Sequence, residues 1–314
     1  MEIALQVVLV LGGLALALLA SDRAVAYTRA LAARLGAPPF VVGVALVAVG
    51  TDLPEIANSI VSHLQGAGDV NVGDSVGSTL TQYTLILGLF PLIVAVIAID
   101  RREVGLVTVL TILGLLMTSA FVADGWLGRW EGVALVAAWA AFTMIVVKAV
   151  PALLVAQDVP AVRFEHTVAQ ATVVLVALGL VGLGATVAVR ALLRLAELAG
   201  VPEFMIAFFG LSLGTSSPEL VVDITALLRG APAIAVGDAV GSSLVDATLS
   251  IGAGPIVEPA AVTPRLALTG IFYTLGAVAL AGGVLVRRRR HDRLSTVLLL
   301  AVYAVSYFVV LASD

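Results

Sequence analysis

An all-α integral membrane fold, ten transmembrane helices arranged as two inverted five-helix repeats, is what this sequence predicts. Three observations predict it. The 314 residues are 61% hydrophobic and only 12% charged, with a mean hydropathy of +1.12; no soluble domain could cover its surface with so little charge. Apolar runs long enough to cross a bilayer, about 20 residues each, recur from end to end. A polar motif set inside those runs occurs twice, at a fixed offset of 164 residues.

The spans fall at roughly 2–20, 39–63, 72–98, 104–123, 130–155, 166–193, 202–228, 236–257, 266–286 and 294–312. The first lacks a basic segment before it and reads as a retained transmembrane helix rather than a cleaved signal peptide. Five spans lie in residues 1–156 and five in 166–314, joined by the polar linker 157–165. An odd number of spans per half turns the second half upside down, which makes an inverted-topology repeat. So short a linker leaves no room for an added ion-sensing domain.

Orientation follows from the basic residues. With Lys148 and Arg190, near the ends of their spans, counted to the adjacent loops, loops 1–2, 3–4, 5–6, 7–8 and 9–10 hold 3, 2, 2, 1 and 5 Lys and Arg residues, and the alternate loops hold 0, 1, 2 and 1. The positive-inside rule then puts both termini outside the cytoplasm. The Arg287–Arg290 run reads as a topology anchor, with a lipid-headgroup contact or a regulatory patch as the other readings. Trp126 and Trp130 flank a turn and read as interfacial anchors. The chain has no cysteine, so disulfides and thiolate metal sites are excluded.

The motif carries the chemistry. Gly50-Thr51-Asp52-Leu53-Pro54-Glu55 returns as Gly214-Thr215-Ser216-Ser217-Pro218-Glu219. Pro54 has no N–H, and its ring crowds the carbonyl four residues back, so the helix should open around Gly50–Leu53. Backbone opened at membrane depth is tolerated only inside protein or beside a watery cavity. Thr51 and Glu55 lie four residues apart on one helical face, and Thr215 and Glu219 repeat them. Carbonyls, hydroxyls and two carboxylates form an all-oxygen set, which suits a hard cation such as Ca²⁺ or Na⁺.

A second element follows in each half: Gly73-Asp74-Ser75-Val76-Gly77-Ser78 and Gly237-Asp238-Ala239-Val240-Gly241-Ser242. Each is expected to open a long apolar helix whose glycines permit close approach to a neighbour. Ser78 with Gln82, and Ser242 with Asp246, fall on common faces, which adds Asp246 to Glu55 and Glu219 as a third carboxylate. Three such charges cannot all stay ionised without cations, so their titration should be coupled. Asp74 and Asp238, near the expected helix starts, read equally as helix caps or as ion-entry residues. Asp223, four after Glu219, extends the ion path or lines a vestibule. His63, His166 and His291 fall at span ends or loops and are not expected to be ligands.

These two motifs resemble the cation/Ca²⁺ antiporter superfamily, specifically the sodium/calcium exchanger family with its two α-repeats. The resemblance is close over residues 40–90 and 204–254, and the ten-helix layout extends it to the whole chain. It implies a calcium position built by Thr51, Glu55, Thr215 and Glu219. One flanking sodium position would use the Ala48 carbonyl with Thr51, Asp52, Glu55 and Ser78. Its mirror would use the Ser212 carbonyl with Thr215, Ser216, Glu219 and Ser242, while Gln82 and Asp246 border a middle position. It also implies sliding of the first and sixth helices past the other eight.

Two residues depart from the family pattern: Asp52 stands where serine is usual, and Gln82 where asparagine or aspartate is usual. The expectation is a multi-pass cell-membrane antiporter, not an enzyme, exchanging Ca²⁺ for Na⁺ by alternating access, with a Ca²⁺/H⁺ antiporter as the alternative that Asp52 and Gln82 raise. An intramembrane aspartyl protease and a passive channel are weaker readings. The expected partners are membrane lipids and the transported ions, with no cofactor, no nucleic acid, and a monomer as the working unit.

Overall fold

A computed structural model describes residues 2–150, 167–198 and 216–311. In chain order the helices are α1 (Glu2–Leu35), α2 (Pro39–Thr51), α3 (Leu53–Leu64), α4 (Gly68–Ile93), α5 (Arg101–Phe121), α6 (Arg129–Ala149), α7 (Thr167–Leu198), α8 (Ser217–Leu228), α9 (Pro232–Val257), α10 (Pro264–Arg288) and α11 (Arg293–Leu311). Short strands β1 (Val96–Ala98), β2 (Trp126–Leu127), β3 (Ala260–Ala261) and β4 (Arg290–Asp292) lie between them. Among the described residues, seven helices are long and apolar enough to cross a membrane, and eight spans result if the bent pair α2–α3 counts as one. The span expected at 202–228 is described only from Ser216 onward, and the linker 157–165 and His166 lie outside the described residues.

α1 runs to Leu35, well past its apolar stretch, because Ala24, Ala26, Ala30, Ala32 and Ala33 keep helix propensity high. It stops at Gly36, whose φ of +60° leaves the right-handed region. At 34 residues it is about 51 Å long, more than the hydrocarbon thickness requires. α7, 32 residues, lies against it. The two backbones meet at glycines: a Cβ on Gly13 would lie 2.6 Å from the Gly184 carbonyl oxygen. At its far end α1 is held to α8, where Arg29 donates to the Arg229 carbonyl at 3.0 Å and Arg229 pairs with Asp22.

α9 is the most enclosed span: 94% of its apolar window is buried, against 17% for α1. It sits on α2, and glycines again allow the approach. A Cβ on Gly237 would overlap the Phe40 carbonyl oxygen, and one on Gly241 would lie 2.6 Å from Val44 Cα. Gly73 and Gly77 show no such partner among the described residues. The close approach expected at all four glycines is seen at Gly237 and Gly241; the counterparts of Phe40 and Val44 at the 164-residue offset, 204 and 208, lie outside the described residues.

The backbone itself repeats at the 164-residue offset. Asp52 (φ −79°, ψ 6°) and Ser216 (φ −86°, ψ 12°) both interrupt helical geometry just before the motif proline. Left-handed turns fall at Gly66 and Gly230, and each following helix contains a proline, Pro91 and Pro255. Within α4 and α9 a π-turn occupies Gln82–Ile86 and Asp246–Ser250.

Two small ladders report the inversion. β1 pairs antiparallel with β4 (Ile97 opposite His291), and β2 with β3 (Leu127 opposite Ala260). By the offset, β1 corresponds to β3 and β2 to β4. β1 and β2 sit at opposite ends of α5, about 32 Å apart for 21 residues. Corresponding strands therefore lie at opposite ends of the molecule, which is what an inverted repeat requires. His291 is buried at the β4 end, its Nε2 donating to the Leu87 carbonyl at 2.5 Å and its Nδ1 meeting Ser295 Oγ at 2.6 Å. Burial holds its imidazole below the usual histidine pKa, in the neutral form.

Candidate cation site

The bend between α2 and α3 is 45° and falls at Asp52, where the absent Pro54 N–H lets the helix open. α3 then restarts at Leu53 with Pro54 in its first turn, and Glu55 follows immediately. α8 repeats the arrangement with Ser216 before it, Pro218 in its first turn and Glu219 next. The starts of α3 and α8 come together in the fold. One carboxylate oxygen from each of Asp52, Glu55 and Glu219 lies within 4.8 Å of the others, and all three side chains are buried. Oxygens that share one Ca²⁺ at 2.3–2.6 Å stand no more than about 5.2 Å apart, so these three are close enough to share an ion.

The remaining predicted groups surround this trio. The Thr51 hydroxyl bonds the Val47 and Ala48 carbonyls at 3.2 and 3.1 Å, and lies 3.4 Å from both Asp238 Oδ1 and Ser242 Oγ. The Ala48 carbonyl also accepts the Asp52 N–H at 3.0 Å. Gln82 accepts a 2.9 Å bond from Ser243 through Oε1 and leaves Nε2 without a partner. Ser78, Ser216 and Ser242 are buried on α4, before α8 and on α9. Ser212 and Thr215 lie outside the described residues.

Charge is the outstanding property. Asp52, Glu55, Glu219, Asp223, Asp238 and Asp246 are all at most 1% exposed, and no Lys or Arg is buried among the described residues. Among the described residues, both oxygens of five of these carboxylates, and Oδ2 of Asp238, have no hydrogen-bond donor. Such groups cannot persist as bare anions in an apolar interior; protons or cations must compensate them. Oxygen donors without a single nitrogen or sulfur ligand fit a hard cation.

Two features differ from the sequence-based expectations or were absent from them. Asp74 and Asp238 are not helix caps, because their helices begin at Gly68 and Pro232, six residues earlier. Asp238 instead reaches Thr51, while Asp74 accepts a 2.6 Å bond from Asn58. The signal was present: Gly230 in the left-handed region and Pro232 in the first turn are start markers. Asp223 stands beside Asp238, carboxylate against carboxylate, a pairing that needs a proton or cation between them. The π-turns that begin at Gln82 and Asp246 have no reliable sequence signature, although such turns gather at functional sites. His63, by contrast, is a structural bridge, bonding the Glu258 carbonyl at 2.7 Å and Asn71 at 3.0 Å.

Known proteins resemble this chain in sequence and in fold. The family model described as sodium/calcium exchanger protein matches residues 5–148 and 170–312. CaxA of Alkalimonas amylolytica is 30% identical over 266 residues, covering 80% of this chain and 81% of that protein. The inner membrane protein YrbG of Escherichia coli K12 is 26% identical over 272 residues, 83% and 82% of the two chains. The sodium/calcium exchanger MaX1 of Methanosarcina acetivorans is 36% identical over 91 residues, 29% of this chain and 26% of that one. In fold, the sodium-calcium exchanger NCX_Mj from a crystal soaked in 2.5 mM Na⁺ and 10 mM Sr²⁺ matches with a TM-score of 0.81 at 24% identity, over 97% and 98% of the two chains. With a duplicated motif, spanning helices and a family match over nearly its whole length, this multi-pass membrane protein belongs to the sodium/calcium exchanger protein family.

Proposed function

We propose that the protein is a secondary active antiporter that exports Ca²⁺ in exchange for entering Na⁺. It has ten transmembrane helices in two inverted repeats, residues 1–156 and 166–314, joined by 157–165. The observation that carries this reading is the group of six buried carboxylates with no basic partner among the described residues, centred on Asp52, Glu55 and Glu219. A permanent internal ion pair would have supplied an arginine or lysine; this interior instead calls for a cation that comes and goes. The names of MaX1 and NCX_Mj, both sodium/calcium exchangers, support Ca²⁺ and Na⁺ as the pair.

In this reading Ca²⁺ is substrate. Glu55 and Glu219 hold it with the Thr51 and Thr215 oxygens. Sodium ions take flanking positions, one at Ala48, Thr51, Asp52, Glu55 and Ser78 and its mirror at Ser212, Thr215, Ser216, Glu219 and Ser242, with Gln82 and Asp246 bordering the middle. Both cargoes need Glu55 and Glu219, so they exclude one another, and that exclusion couples the fluxes. The helix pair α1 and α7, packed on each other and overlong for the bilayer, slides past the remainder to switch access. No covalent chemistry and no cofactor are required.

Asp52 lies within the carboxylate trio where the mirror position has Ser216, and this supports proton coupling as a second reading. Uptake of ⁴⁵Ca²⁺ into proteoliposomes loaded with Na⁺ and diluted into Na⁺-free buffer at matched pH separates the two. Uptake should collapse when internal Na⁺ is replaced by choline. Uptake that ignores Na⁺ and appears only under a pH gradient would replace sodium by protons.

A further inference from the structure

At the end of the molecule closed by the β1–β4 ladder lies a cavity of about 750 Å³, lined by Ile99, Asp100, Arg101, Arg102, Val286 and Arg289. Among the described residues its three guanidinium groups have no ion pair. The neighbouring Arg288 and Arg290 share one carboxylate, Asp292, at 2.8 and 3.0 Å. Asp100, the one acid in the lining, is committed to the start of α5, where Oδ1 accepts the Arg102 and Glu103 N–H groups at 2.7 and 3.1 Å. The cavity therefore carries uncompensated positive charge, and nothing in the ladder requires it.

The backbone at Arg289 adds a second, independent sign. It ends α10 with φ +56°, the one non-glycine left-handed residue among the described residues; the other such positions are Gly36, Gly66, Gly125 and Gly230. Glycine is the residue this conformation favours. The arginine is held there, its carbonyl accepting the Ile99 N–H at 3.0 Å, which ties the two sides of the cavity together.

We infer that this cavity binds the phosphodiester headgroup of an anionic phospholipid. Arginine forks match phosphate oxygens two at a time, and basic pockets between transmembrane helices are suited to anionic headgroups. The lipid source, rather than free phosphate, follows from the surroundings. Ile99 and Val286 give the lining an apolar part. α5 and α10, whose ends frame the cavity, expose Val109, Leu113 and Leu116 and Phe272 and Leu280 along their lengths, a surface on which acyl chains lie. The bound headgroup bridges α5 to the α10–β4 turn, so it would fasten the outer scaffold against which the α1–α7 pair moves. The headgroup site itself stands without the exchange reading.

The purified full-length protein in detergent is titrated calorimetrically with dioctanoyl phosphatidylglycerol, dioctanoyl phosphatidylcholine and inorganic phosphate. Phosphatidylglycerol should bind saturably, with phosphatidylcholine and phosphate each at least about tenfold weaker, and Arg101→Gln/Arg102→Gln should lose about tenfold in affinity for it. Arg289→Gly tests the site without endangering the fold: its lipid-free melting temperature should equal or exceed that of the unaltered protein, while its phosphatidylglycerol affinity falls. Unchanged affinity in both variants would overturn the site. Phosphate binding as tightly as phosphatidylglycerol would overturn the lipid assignment, and equally tight phosphatidylcholine would reduce the cavity to an apolar groove.

Discussion

Asp52 is the residue on which the two halves differ most consequentially. Its counterpart, Ser216, is neutral, yet Asp52 is fully buried with both oxygens lacking a donor and shares a 4.8 Å cluster with Glu55 and Glu219. Without cations it adds like charge to an apolar interior, so its removal should stabilise the ion-free protein. Asp52→Asn is expected to gain about 1–3 kcal/mol in chelator and choline buffer, read as a higher melting temperature. Added Ca²⁺ should narrow the difference, because the ion compensates the charge that the variant lacks. At this scale the motif residues were legible: Thr51, Asp52, Glu55 and Glu219 are all buried around one centre. Asp238 was not placed, since a carboxylate's partner across two helices, here Thr51, is set by packing and leaves no mark at fixed spacing.

Among the elements, α9 and its glycines decide how near the second repeat can come to α2. Gly237 has no room for a Cβ beside the Phe40 carbonyl, whereas Gly276 on α10 has nothing within 4 Å. Gly237→Ala should therefore cost about 1–3 kcal/mol by overpacking and lower both the melting temperature and Ca²⁺ flux. Gly276→Ala should be neutral or slightly stabilising, as alanine favours helix, and thermal melts of the two variants check the contrast. Helix existence was readable from apolar runs, and the break at Asp52 from Pro54. Helix ends were less so. α1 outlasts its apolar stretch because alanine sustains the helix where its second half is buried inside the protein, and α4 and α9 begin earlier than expected because Gly66 and Gly230 start their turns there. The π-turns at Gln82 and Asp246 were invisible, since one extra residue per turn requires no particular side chain.

For the whole molecule, the two ladders mark opposite membrane faces. Arg290 in β4 and Ala123, just before β2, are both exposed, and the chain has no native cysteine. Single Arg290→Cys and Ala123→Cys variants can therefore be labelled with a membrane-impermeant maleimide on a clean background. The positive-inside count expects Ala123→Cys to react in intact cells and Arg290→Cys only after permeabilisation. Reaction of both from one side would deny the inversion, and the reverse pattern would turn the protein over.

One site serving both ions is the central claim, and equilibrium ⁴⁵Ca²⁺ binding to the purified protein, titrated with Na⁺, tests it most directly. Sodium should displace Ca²⁺ competitively, and Glu55→Gln and Glu219→Gln should each weaken Ca²⁺ binding by about 100-fold, the loss of one charged ligand in a buried site. Calcium held at full affinity in either variant, or indifferent to Na⁺, would mean that the carboxylates of α3 and α8 are not the shared site.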